Sequence, residues 1–259
     1  MQGLFVFTYF WYNQNKETMK KYLLLIATVF SFTATFSQGH FYTAFGYNLG
    51  YAKLGGMNYV VGRYNETRSW LSDPMDKFSF PNGFCVSLGG SFNRIMIDLN
   101  WVGRHMTRTA SGIQPANGLL GERQVKWRMN TFNFGFGGTI GEGSGGRINI
   151  GLSFDFGTEK TFTRFGEDGV FNPEEFETIQ TELLMGSTVF MQFIISAGGI
   201  PGGLFIRPYF QFPYFKTDYG ATSQSINSYT YQNDDIEEWE SNSWNVGVQL
   251  QIGLFVRND

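Results

Sequence analysis

The sequence predicts an all-β chain closed into an eight-stranded antiparallel up-and-down transmembrane β-barrel with short turns at one end and long loops at the other. Three observations carry this: apolar residues alternate with small or polar ones at a period of two, eight segments show the alternation, and the links between them alternate in length. Composition agrees. Gly 33, Phe 28 and Tyr 13 are high while charged residues make up only 16%, a balance suited to β-structure at an apolar interface.

Ahead of the strands, Met19, Lys20 and Lys21 form a positive start, Tyr22 to Phe36 an apolar stretch, and Ser37, Gln38 and Gly39 a small or polar finish. That is the order of a secretory signal peptide, too short to span a bilayer as a helix. The expected organisation is an upstream extension over 1–18, the signal over 19–38, and one barrel domain over 39–259. Translation is expected to start at Met19.

Strand one runs from His40 to Ala52, with Phe45, Tyr47, Leu49 and Tyr51 on one face and Ala44, Gly46, Asn48 and Gly50 on the other. Strand two sets Phe84, Val86 and Leu88 against Cys85, Ser87 and Gly89. Strand three sets Ile95, Ile97, Leu99 and Trp101 against Asp98 and Asn100. Strand four carries Phe132, Phe134, Phe136 and Ile140 against Asn133, Gly135 and Gly137. Strand five carries Ile148, Ile150, Leu152, Phe154 and Phe156 against Asn149, Ser153 and Asp155. Strands six and seven are noisier, with Val189, Met191, Phe193 and Ile195 against Gln192, then Leu204, Ile206, Phe210 and Phe212 against Arg207 and Gln211. Strand eight is the clearest, with Val246, Val248, Leu250, Ile252 and Leu254 against Asn245, Gln249 and Gln251.

The links near Asn93, Gly141 to Gly146 and Gly198 to Gly203 read as tight turns. Those over 53–82, 105–124, 160–182 and 217–242 read as long loops, which places all four on the outer side of an outer membrane. A soluble barrel would need charged residues on its outer face, whereas the non-greasy face here is Gly, Ser, Asn and Gln, suited to a crowded lumen. The charge-free run from Leu183 to Ile206 is long enough for a membrane helix, but its glycines and Pro201 read as a turn between two strands. A formal net charge of -3 with no basic run excludes nucleic acid as a partner. The single cysteine, Cys85, reads as a small residue within a strand.

On strand count and loop alternation, residues 40 to 257 resemble the small eight-stranded outer-membrane barrels of the OmpA and OmpX kind. The resemblance implies a porin-like architecture in a Gram-negative envelope, with outer-membrane lipid as the surroundings and other envelope or surface proteins as candidate partners.

Candidate site residues fall in two places. Asp98, Asp155, Arg207, Gln249 and Gln251 are expected to form a polar network that plugs the lumen, since an unpaired charge there is costly. Asp234, Asp235, Glu237, Glu238 and Glu240 form an acidic stretch in the fourth outer loop, expected to be solvated, with no metal or other cofactor implied. His105, Ser111 and Glu122 supply the residue types of a hydrolase, without a recognisable spacing. The expected role is therefore non-enzymatic: a structural or surface-interaction barrel acting through its outer loops, alone or within a larger envelope assembly. The alternatives are a lipid-modifying hydrolase and a narrow solute pore.

Overall fold

Eight long strands form one closed ring: β1 (Gly39–Ala52), β2 (Asn82–Phe92), β3 (Ile95–Ile113), β4 (Leu120–Gly143), β5 (Gly146–Glu167), β6 (Glu177–Ser196), β7 (Gly203–Pro213) and β8 (Asn245–Arg257). The structure is a computed structural model describing residues 39–257 apart from 93, 144, 197–201 and 228–238. The expected extension over 1–18 and the export signal over 19–38 lie outside the described residues, as do Asp234, Asp235, Glu237 and Glu238 of the acidic stretch.

Each strand pairs antiparallel with its neighbours in the chain, and β8 returns to β1 from His40↔Arg257 to Ala52↔Asn245. Closure pairs the backbone groups of every strand on both sides, which is what a β-structure in hydrocarbon requires. Packing at the short-turn end is tight: a Cβ on Gly146 would lie 2.1 Å from the Ile194 carbonyl oxygen, so no larger residue fits there without moving a strand.

The two faces have the expected orientation. Phe45 and Phe84 are 68% and 69% exposed on the outside, while Asp98 is 0% exposed inside. An apolar band around a polar interior is stable only where the surroundings are lipid, so this is a transmembrane barrel. On the β7–β8–β1 side the band ends in a chain of rings, Tyr214, Phe212, Phe210, Trp244, Tyr51 and Phe80, with neighbouring centroids 5.6 to 6.5 Å apart. Such a girdle suits the membrane–water interface.

Two of the four expected long loops are not loops. Residues 105–113 and 120–124 continue β3 and β4, leaving only 114–119 as the connection, and β5 and β6 similarly run on to Glu167 and back from Glu177. The four strands β3 to β6 therefore stand beyond the membrane band as a sheet extension. The reason lies in an exchange of faces. Within the band β4 points Phe132, Phe134 and Phe136 outward and Thr131 and Asn133 inward; beyond it the same strand points Lys126 and Arg128 outward and buries Val125, Trp127 and Met129. β3 does likewise, with Met106 and Ala110 buried and Thr107 facing out. Outside the bilayer, water replaces lipid on the outer face and the interior becomes an ordinary apolar core.

The other two long connections fold inward and supply the rest of that core. The β1–β2 connection carries helix α1 (Gly55–Glu66), and the β7–β8 connection carries helix α2 (Gly220–Asn227). Met57, Val60, Val61 and Tyr64 of α1 repeat at helical spacing and are buried. They pack with Met75, Phe78, Tyr219 and Ile226 against Trp127, Met129 and Leu184 of the wall. Asn58 and Asn65, seven residues apart on α1, fasten the segment after it: Asn58 donates to the Phe78 carbonyl and accepts from the Phe78 amide, and Asn65 does the same with Met75. The two helices are tied by Arg68 donating to the Ile226 carbonyl at 3.0 Å and Asn227 donating to the Val60 carbonyl at 3.3 Å. Among the described residues no helix is long and apolar enough to cross a membrane.

Candidate functional site: a filled lumen beneath an apolar plug

Inside the membrane band the polar face is arranged in clusters. Asp98 on β3 is the centre of the first: Arg207 on β7 donates to its Oδ2 at 2.5 Å, and Tyr42 on β1 donates to its Oδ1 at 2.5 Å. The Arg207 guanidinium also lies over the Phe190 ring, 3.7 Å from its centroid. Three strands and a stacked ring thus hold one buried charge pair, an arrangement that offsets part of the cost of removing both ions from water.

Asp155 on β5 is the centre of the second. It accepts from Asn133 at 2.5 Å, Ser153 at 2.8 Å, Thr188 at 2.6 Å and Gln211 at 2.8 Å. Among the described residues its four hydrogen-bond donors are all neutral, and two of them, Thr188 and Gln211, come from β6 and β7. Gln249 and Gln251 of β8 lie in a third cluster, in which Asn100 donates to Gln249 at 3.2 Å and Gln251 donates to Ser87 at 2.8 Å and to the Cys85 sulfur at 3.3 Å. Each of Asp98, Asp155, Arg207, Gln249 and Gln251 is buried in the lumen, and among the described residues their hydrogen bonds fall into the three groups above.

Above the band, one residue that sequence reasoning passed over occupies the boundary between wall and plug. Glu159 on β5 lies beyond Phe156, the last lipid-facing aromatic of its strand, and points inward. Trp127 of the wall donates to it at 2.6 Å, Thr217 of the β7–β8 connection at 3.2 Å, and the Tyr219 hydroxyl also donates. Burial pushes the Glu159 carboxyl above its ordinary range, against the pull of hydrogen bonds from Tyr219, Trp127 and Thr217, and the nearby Glu182 charge adds to the rise. Burial, followed by the adjacent Glu159 charge, likewise holds the Tyr219 hydroxyl well above its usual value. The signal for Glu159 was its parity on β5, which it shares with Asp155.

The remaining candidates do not assemble. Ser111 and Glu122 are cross-strand partners on the outer face of the extension, but His105 is six residues from Ser111 along β3, roughly 20 Å away at strand rise. A nucleophile and base at that separation cannot share a proton. Glu240, the described member of the acidic stretch, pairs with Lys216 at 3.6 Å on a two-residue ladder, Thr217–Asp218 with Glu240–Ser241. Asn65, which opens an Asn-Glu-Thr sequence, spends its side chain on Met75 as described above.

No protein-family model matches the chain, and no curated protein matches it. Among solved structures it is similar to Ail, the attachment invasion locus protein of Yersinia pestis, crystallised with the heparin analogue sucrose octasulfate. That match has 9% identity and a TM-score of 0.39, covering 85% of this chain and 99% of that one. It is also similar to Neisserial surface protein A, with 9% identity and a TM-score of 0.34, covering 83% of this chain and 96% of that one. At these values the similarities carry no information on ligand or activity.

Proposed function

We propose that this chain is an exported, non-enzymatic outer-membrane β-barrel that does not conduct solutes and presents a rigid platform outside the membrane for surface interactions. The observation that carries the reading is the double closure of the lumen. Charged and amide side chains bury one another within the band, and an apolar core of α1, α2 and the sheet extension closes the long-loop end. A pore needs a continuous hydrated path, and a barrel of this strand number has room for little beyond its own side chains. The loops contribute to surface contact chiefly through the outer faces of the extension and the capping segments, because their apolar residues are committed inward. Lipid around the band and other envelope proteins at the platform are the partners this arrangement suits.

The test is conductance of the full chain reconstituted in planar bilayers. No stable single-channel steps are expected, whether for the native protein or for Val60→Asp, which loosens the plug while leaving the polar clusters of the band in place. Defined steps from the native protein would replace this reading with that of a pore.

A further inference from the structure

Outward-facing residues of β3, β4 and β5 form cross-strand rows whose chemistry changes with distance from the membrane band. The last aromatic row is Trp101, Phe132 and Phe156. The next row out is Gly103, Asn130 and Thr158, small and uncharged. The row after that is His105, Arg128 and Lys160, directly paired across the three strands, and the following row contains Lys126 beside Phe162. Same-face neighbours on a strand are about 6–7 Å apart, so the basic row lies roughly 10 Å above the aromatic one when the strand tilt is included. Headgroups occupy roughly 5–8 Å on each side of the hydrocarbon. Arg and Lys side chains that bend toward the membrane therefore reach the level of lipid phosphates.

Among the described residues, neither the Arg128 nor the Lys160 side chain has an ion pair or hydrogen bond, although both residues are paired through their backbones in the sheet. Lys126 and Arg164, further out, are engaged: Lys126 lies 5.5 Å from the Phe176 ring centroid, and Arg164 donates to the Gln124 side chain and the Glu174 carbonyl. Glu174 and Glu175 line a cleft of about 640 Å³ with Lys126, Arg128 and Arg164, on the side of Lys126 and Phe162, the row further from the membrane band. The side of Arg128 and Lys160 that faces the bilayer lies over the uncharged row. On the β7–β8–β1 side the band ends instead in the chain of rings from Tyr214 to Phe80, and Lys216 there is already paired with Glu240 at 3.6 Å.

We infer that Arg128 and Lys160, with His105 as a neighbouring hydrogen-bonding group, bind the phosphate groups of an anionic lipid in the leaflet at the long-loop end. A planar guanidinium matches two phosphate oxygens at once and an ammonium adds a point charge. The small row beneath gives the headgroup space to approach the sheet. This inference rests on the reading of the chain as an outer-membrane barrel.

The experiment is native mass spectrometry of the full chain released from detergent micelles, with lipid A and dephosphorylated lipid A as competing probes. The native protein is expected to retain the phosphorylated form in about tenfold preference or more, the equivalent of a single good charged contact. Arg128→Gln with Lys160→Gln should abolish the preference, each single change should reduce it, and Lys53→Gln, on the far side of the ring, should leave it intact. Equal retention of the two lipids by the native protein, or an unchanged preference in the double variant, would overturn the inference. Gel mobility with and without heating establishes that each variant remains a closed barrel. A barrel that inserts in bilayers but shows no phosphate preference sinks this inference alone, whereas failure to insert sinks the reading beneath it.

Discussion

Trp127 and Glu159 meet across the β4–β5 pair, the indole nitrogen donating to the carboxylate at 2.6 Å where the polar lumen gives way to the apolar plug. Because Thr217 and Tyr219 bond the same carboxylate, Glu159 fastens the β7–β8 connection to the wall. Its carboxyl titrates above the ordinary range, chiefly through burial. The docked state therefore holds the proton more tightly than the undocked state does. Docking is strongest below the ordinary carboxyl range and weakens as pH rises through the elevated titration of Glu159. Hydrogen exchange over residues 217–227, corrected for intrinsic rates, should quicken across that window in the native protein. In Glu159→Gln the quickening should be absent; the same pH slope in that variant would assign it to another group.

The Asp98–Arg207 pair makes a second, different prediction. Asp98→Leu leaves a buried guanidinium without its partner and should cost about 3–5 kcal/mol in urea unfolding from micelles. Asp98→Leu combined with Arg207→Met removes both charges and should cost clearly less than Asp98→Leu alone. Additive losses in the double variant would show that the pair is not coupled as its 2.5 Å contact requires.

Asn58 and Asn65 should matter locally. Each forms two hydrogen bonds to the backbone, between 2.7 and 3.0 Å, so Asn58→Ala or Asn65→Ala should loosen the segment around Met75 and Phe78 by about 1–2 kcal/mol. Amide exchange at Met75 and Phe78 should rise by about 5- to 30-fold, the exchange equivalent of that loss, while that of β1, β7 and β8 stays as before. Parallel changes in those strands would mean that plug and barrel unfold as one unit.

The parts of this architecture legible in the sequence are those where lipid imposes one chemistry on one face. Phe132, Phe134 and Phe136 against Asn133 and Gly135 could be read without a partner strand. The extension could not be read in that way, because beyond Phe132 the greasy face turns inward, and a reader following Phe, Ile and Leu outward loses the strand at Asn130. The alternation itself never stops: Val125, Trp127 and Met129 keep strict period two with Lys126 and Arg128. Helix α1 had a signal too, since Met57, Val60, Val61 and Tyr64 stand at helical spacing inside a segment otherwise read as a loop. The lumen residues were legible as a face, but their grouping was not. Asp98 meets Arg207 109 positions away, and Asp155 meets Gln211 56 positions away, through register that only barrel closure sets.

The boundary between lipid and water on β4 is where the central claim can be tested most directly. In a Cys85→Ser background, an NBD fluorophore is placed at Phe132→Cys and, separately, at Arg128→Cys, two outward positions four residues apart, and the protein is reconstituted in vesicles. Nitroxide carried on lipid tails should quench the label at 132 strongly and the label at 128 weakly, with the order reversed for a water-soluble quencher. Equal access of the water-soluble quencher to both positions would contradict a membrane band that ends between Phe132 and Arg128, and with it the transmembrane reading of the barrel.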